Sequence, residues 1–396
     1  MRKAIVVIDG EHYAPVLRDA IAELPYEVVG AWLAGGTEKL RGDADYGVPL
    51  LPALEDGFHD ADVVVDLSDE PVLGPRERML VASRVLAAGL RYEGADFRYD
   101  PPRYEAFSVP SLAVIGTGKR VGKTAVAGHI ARFLSRDRDV VVVAMGRGGP
   151  AEPQVAVVQP TLESLLDLSR AGEHAASDYL EIAALTGLVT IGCRRAGGGL
   201  AGAVTTSNVL QGAALAAERD PDVIVFDGSG AAVPPVEVDA RILVTGRGHD
   251  LLEYLNPYRV LISDAVVVVG GGGGGARAVQ DLKKVPVVEA ELRLRPVTPL
   301  HGRRVAVFAT GPVVTEGLDA EVVSVSQNLA NRAALDEDLQ RADADVYLVE
   351  IKAAAIDLVA EAALRRGVEV VFAENEVVSS ELDDLVQRLV PAGAPA

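Results

Sequence analysis

The segment Gly116-Thr117-Gly118-Lys119-Arg120-Val121-Gly122-Lys123-Thr124 has the residue types and spacing of a phosphate cradle. Glycines let successive backbone N–H groups close around phosphate oxygens. Lys123 then supplies an ammonium that reaches β- and γ-phosphates, and the Thr124 hydroxyl a ligand for Mg²⁺. The flanks agree with this chemistry. Residues 112–115 read as an apolar strand, and 125–134 as a helix whose positive N-terminal end faces the same site. Gly116, Thr117, Gly118, Lys119, Val121, Gly122, Lys123 and Thr124 are therefore expected to hold a nucleotide.

Other chemically capable residues sit where strands should end. Asp227 closes the apolar run 223–226 and opens Gly228-Ser229-Gly230, the position from which an Asp places Mg²⁺ in P-loop enzymes. Arg147 follows the run 140–144, within reach of a γ-phosphate or substrate, and Glu152 beyond it is a further candidate Mg²⁺ ligand. Both also read as ordinary loop residues. Arg194 and Arg195 follow 189–192 beside three glycines. They form either an anion pocket, since Arg binds phosphate bidentately, or a solvated pair. Lys123, Arg147 and Arg120 are the expected catalytic cations. Glu11 and His12 follow the first strand as a candidate substrate loop or a simple turn and cap. Asp66, Asp69 and Glu70 end another strand, as a cation site or a solvated cluster. Cys193 reads as a buried thiol, with no Cys/His arrangement to make it a nucleophile.

The loop is one residue longer than the usual motif. Counting back from Gly122, Thr117 occupies the usual first-glycine position and Gly116 precedes it. That spacing resembles the dethiobiotin synthetase branch of P-loop proteins, which implies ATP-driven activation of a small acid rather than signalling. No guanine-selecting Asn/Thr-Lys-x-Asp motif is present, so ATP is expected over GTP.

Positioning these loops requires strands alternating with helices, hence an α/β fold with a parallel sheet and right-handed crossovers. Residues 1–105 are expected to form an N-terminal α/β domain, 106–300 a P-loop nucleotide-binding core, and 301–396 a C-terminal α/β domain. Both flanking domains are smaller than the core. Core strands at 112–115, 140–144, 189–192, 223–226, 242–244, 265–269 and 285–288 are Val/Ile runs suited to a sheet buried on both faces. Residues 92–110 read as a surface linker and 270–275, six glycines, as a mobile loop or a weaker second phosphate site. Helices are expected at 353–365 and 377–389, with a frayed tail at 391–396.

Composition narrows the function. Net charge is −19 over 396 residues, which argues against a nucleic-acid partner. One cysteine excludes a disulfide framework and a Cys-based zinc site. The N-terminus lacks a signal-peptide pattern and no run approaches membrane-spanning length, so a cytoplasmic protein is expected. Against that negative background, Lys119, Arg120, Lys123, Arg147, Arg194 and Arg195 all fall at strand ends. This enrichment implies a strongly anionic ligand besides ATP.

Taken together, Ile8-Asp9-Gly10-Glu11-His12-Tyr13, the 116–124 loop, Met145-Gly146-Arg147-Gly148-Gly149-Pro150 and Asp227-Gly228-Ser229-Gly230 resemble the cyclic 2,3-diphosphoglycerate synthetase family. The resemblance implies conversion of 2,3-diphosphoglycerate and ATP to a cyclic phosphoanhydride, ADP and phosphate, with Mg²⁺ and a homodimer. No protein nucleophile is required by that chemistry. The competing readings are another P-loop kinase or ligase for a small anionic acid, a regulatory NTPase switch, and a non-enzymatic nucleotide sensor.

Overall fold

The structure, a computed structural model of the chain, describes residues 1–36, 44–157, 178–271, 274–311, 313–350 and 356–390. The N-terminal strands are β1 (Lys3–Ile8), β2 (Glu27–Leu33), β3 (Leu50–Leu51), β4 (Val63–Asp66), β5 (Arg91–Glu93) and β6 (Arg98–Tyr99). They form one sheet in the order 3-2-1-4-5-6, parallel except for β5–β6. Helix α1 (Ala14–Glu23) packs Leu17 and Ile21 on one face, and α2 (Pro75–Ala87) packs Val81 and Val85 on the other. The 92–110 segment is not wholly a linker, because its aromatic residues extend this sheet. Tyr92 is fully buried, donates to Asp66 at 2.6 Å and stacks 5.2 Å from Phe97.

The remaining strands make one sheet. They are β7 (Ser111–Gly116), β8 (Val140–Gly146), β9 (Gln154–Ala156), β10 (Thr190–Ala196), β11 (Thr206–Ser207), β12 (Val223–Asp227), β13 (Ala240–Gly246) and β14 (Ala265–Val269). Then follow β15 (Val287–Pro296), β16 (Arg304–Phe308), β17 (Glu321–Ser326), β18 (Val346–Glu350) and β19 (Glu369–Val378). Their order is 11-10-8-12-7-13-14-15-19-18-16-17, with β9 paired to β10. Strand side chains alternate between faces, so Leu112 and Val114 join one core while Ala113 and Ile115 join the other. Helices α3 (Lys123–Leu134) and α4 (Asp178–Thr186) cover the first face, and α5 (Val209–Ala217), α6 (Asn256–Leu261) and α7 (Gly274–Leu282) the second. Helices α8 (Arg332–Arg341) and α9 (Ile356–Arg366) cover the C-terminal strands, and α10 (Leu382–Leu389) returns to α3. The N-terminal sheet docks through α2 onto α6, where Tyr258 joins its core, and Arg76 pairs with Asp250 at 3.2 Å.

Strand β15 differs most from expectation. It continues eight residues beyond 288, and its two halves pair differently. Residues 287–290 run parallel to β14, whereas 291–296 run antiparallel to β19. The expected helix at 377–389 accordingly starts later, because Val377 and Val378 pair with Leu292 and Glu291. Strands β16, β18 and β19 therefore run against the core strands. The carboxyl ends of β16 and β18 face the carboxyl ends of β7 and β14 across the β15–β19 arm. The six steps from Ala290 to Pro296 set that separation at about 20 Å.

In the glycine run, α7 begins at Gly274, while residues 272–273 lie outside the described residues, as do 353–355 and the tail 391–396. Among the described residues no helix is long and apolar enough to cross a membrane. Cys193 is buried under α5, and burial pushes its thiol up to about 12, as an unreactive core residue requires.

Candidate nucleotide and anion site

The 116–124 loop joins β7 to α3. It is pinned to β13 by Thr117, whose N–H donates to Val244 O at 3.1 Å and whose hydroxyl meets Thr245 at 3.2 Å. Gly122 adopts a left-handed φ of 84° at the helix cap, a conformation that favours glycine. Strand β12 lies directly beside β7, which carries Asp227 to the loop. Lys123 Nζ donates to Asp227 Oδ1, with the two side chains 8% and 0% exposed. A buried ammonium and a buried carboxylate thus compensate each other where phosphate is expected.

The turn after Asp227 approaches the loop closely. A Cβ on Gly116 would lie 2.9 Å from Gly230 O. Around Gly230 the side chains of Arg147, Lys119 and Arg195 converge. A Cβ there would lie 3.5 Å from Arg147 Nη2, 3.8 Å from Lys119 Cγ and 4.0 Å from Arg195 Nη2. Arg195 is oriented by donating to Gly197 O at 2.6 Å and Ser229 O at 2.9 Å. Two guanidinium groups beside the Lys119 side chain, in a −19 chain, make a site for a multiply charged anion.

The other expected residues separate from this cluster. Arg194 and Arg195 are neighbours on β10, so their side chains leave opposite faces, and only Arg195 turns towards Gly230. Arg120 lies beyond the loop in a cleft with Leu292 and Thr310, away from Arg147. Glu152 is exposed on the β8–β9 loop. In the N-terminal domain His12 Nδ1 bonds Asp9 at 2.9 Å and His12 Nε2 lies 3.4 Å from Asp69. Burial alone would raise Asp9, but the N–H of Asp69 and the ring and N–H of His12 hold its carboxyl below the usual range. Asp9 thus organises a turn, with Tyr13 rather than itself at the α1 cap position, and Glu11 is exposed beside Gly36. Asp66 is committed to Ser68, Arg78 and Tyr92, so it closes a buried hydrogen-bond centre instead of a cation site.

Three residues outside the motifs support the site. Asn208 accepts from Arg194 N at 2.6 Å and donates to Pro150 O and Ala151 O, tying the Arg147 loop to β10. That loop lies so close that a Cβ on Gly149 would fall 2.1 Å from Cys193 O. Arg259, lowered by burial to about 10 yet still charged at neutral pH, donates to Ala231 O and fixes the turn after Gly230. His249 places its ring 3.3 Å from a Cβ on Gly118. Only His249 had a readable signal, a strand followed by Gly246-Arg247-Gly248.

Among the described residues no three His, Cys, Asp or Glu side chains form a metal cage. The Thr124 hydroxyl and the Asp227 carboxylate are hard oxygen donors, which fit Mg²⁺ carried in on phosphates rather than caged by protein.

Family models for the N-terminal domain, the P-loop domain and the C-terminal domain of cyclic 2,3-diphosphoglycerate synthetase match residues 3–100, 111–289 and 296–376. Proteins named cyclic 2,3-diphosphoglycerate synthetase are similar over nearly the whole length. The one from Rubrobacter xylanophilus is 46% identical over 98% of this chain and 97% of that protein. Those from Thermococcus kodakarensis and Methanothermus fervidus are 39% and 35% identical, each over 98% of this chain and over 98% and 97% of those proteins.

Proposed function

This chain belongs to the cyclic 2,3-diphosphoglycerate synthetase family, and from that premise we propose how its site closes the ring. It is an ATP-dependent enzyme that joins the two phosphates of 2,3-diphosphoglycerate, releasing ADP and phosphate. The convergence of Lys119, Arg147 and Arg195 on Gly230, beside Lys123 and Asp227, is the observation that carries the proposal.

The loop N–H groups and Lys123 hold the β- and γ-phosphates. The three cations hold both substrate phosphates and offset their mutual repulsion. One substrate phosphate oxygen attacks the γ-phosphorus, the bond to the β-phosphate oxygen breaks, and ADP leaves. The second substrate phosphate then attacks the first, forming the ring anhydride and displacing inorganic phosphate. Holding the two phosphates side by side makes that closure effectively unimolecular. Arg147 and Lys123 are the catalytic cations of this scheme. Thr124 and Asp227 would hold Mg²⁺, which when bound neutralises charge on the β- and γ-phosphates. Glu11 and His12 of the N-terminal loop are further contacts proposed for the acid, and a homodimer is the expected assembly.

The direct test is ³¹P NMR of the protein with ATP, Mg²⁺ and 2,3-diphosphoglycerate. The two monoester signals should give way to an upfield anhydride pair as ADP and phosphate appear. ATP hydrolysis without that pair would refute the substrate. A second expectation separates the adjacent arginines. Arg195→Ala should raise KM for the acid by about tenfold or more, the effect of losing a hydrogen bond to a charged group. Arg194→Ala should change it less than twofold. Equal effects in steady-state kinetics would sink the assignment of Arg195.

A further inference from the structure

We propose that the cleft between the two facing carboxyl edges binds the nucleoside of ATP, so that the C-terminal domain completes the nucleotide site. The inference rests on ATP being the nucleotide and on the placement of the substrate cations given above, but not on which acid is cyclised.

Direction is set by strand order. Strands β12, β8 and β10 lie on one side of β7 and bring Asp227, Arg147 and Arg195 to the γ-phosphate end. A nucleotide lying along the 116–124 loop with its γ-phosphate there must send its α-phosphate and nucleoside the other way, over β13 and β14 towards β15. On that side lies a cavity of about 260 Å³. Its near wall is Arg120 and Gly122 of the phosphate loop, and its far wall is Thr310 and Val314, from the loop after β16. The arm closes it from the side. Leu292 and Leu294 are two apart on β15 and share a face, and Asn375 of β19 stands opposite Leu294. A smaller adjoining cavity of about 20 Å³ reaches Ala125 in the first turn of α3, which links the cleft to the phosphate loop.

The lining suits a base and sugar. Small-molecule sites combine apolar walls with a few oriented polar groups. Here the walls are leucine and valine. Glu350 orients the polar groups by accepting from Thr310 N at 2.7 Å, from the Thr310 hydroxyl at 2.8 Å and from Asn375 Nδ2 at 2.6 Å. With its amide nitrogen bonded to Glu350, Asn375 has its carboxamide oxygen to accept from an exocyclic amino group such as adenine carries. Arg120 faces the cleft rather than the substrate cations, which gives its charge a role beside the α-phosphate. Ligands of α/β folds collect outside strand carboxyl ends, and this cleft is bounded by two such edges.

Gly311 also lines the cleft, and a Cβ placed on it would meet nothing within 4 Å, so Gly311→Leu fills the space without strain. Titration calorimetry of the full chain should show ADP–Mg²⁺ binding at least tenfold weaker in Gly311→Leu. Binding of Mg²⁺–tripolyphosphate, which has phosphates and no nucleoside, should change less than twofold. Unchanged ADP affinity, or an equal loss for both ligands, overturns the proposal. In the unmodified protein, 8-azido-ADP should label Leu292, Leu294, Thr310, Val313 or Val314 on illumination, and labelling elsewhere overturns it too. Neither measurement needs the acid, so failure here is distinct from failure of ring closure.

Discussion

Lys123→Ala is expected to lower ring closure by about 10³-fold or more, the scale on which preorganised cationic contacts to a transferring phosphoryl group act. The reason lies in where the ammonium sits. It follows the left-handed Gly122 at the head of α3 and already points at Asp227 on the neighbouring strand. Phosphate binding would place the γ-oxygens against that ammonium. Lys119 turns to Gly230 and Arg120 to the opposite cleft. Quantifying the anhydride pair by ³¹P NMR, beside a circular dichroism spectrum that establishes folding, makes the comparison. Closure retained within tenfold would remove Lys123 from the mechanism.

Asp227→Asn should act on both stability and activity. Removing one partner of a buried ion pair costs about 3–5 kcal/mol, because the remaining charge stays buried without compensation. The retained amide oxygen still accepts from Lys123, which places the expected loss towards the lower figure. In thermal unfolding without nucleotide the single variant should melt clearly below the parent. The double variant Lys123→Met/Asp227→Asn should regain part of the loss, since no buried charge is then left alone. Activity should not return in either, because the carboxylate proposed to hold Mg²⁺ is gone. A double variant no more stable than Asp227→Asn would show that the Lys123 charge left alone is not what destabilises the single variant.

These two expectations show what a linear reading reached. The loop and Asp227 were legible because their signals are local: glycines at fixed spacing, a cation and hydroxyl next in line, an acid at the end of an apolar run. Their pairing was not, since it depends on β12 lying beside β7 across 104 residues of chain. Arg194 and Arg195 looked like a pair, although strand alternation alone should have divided them. Residues 291–296 alternate charged and apolar side chains without a local partner, so β15 seemed to stop at 288. Only pairing with 373–378, some eighty residues later, makes them a strand.

The sequence by itself determined the phosphate chemistry, because the cradle is built from consecutive residues whose φ preferences and side chains act on their own neighbours. It also determined an α/β architecture, through apolar runs of strand length between helical stretches. Which cations meet was decided by tertiary structure. Strand order brings Arg147 and Arg195 to one side of the loop, where the Lys119 side chain packs, while Arg120 lines the cleft on the other. The switch of β15 from a parallel to an antiparallel neighbour turns the C-terminal strands to face the core. Both follow from hydrogen bonding between strands distant in the chain, which no run of adjacent residues encodes.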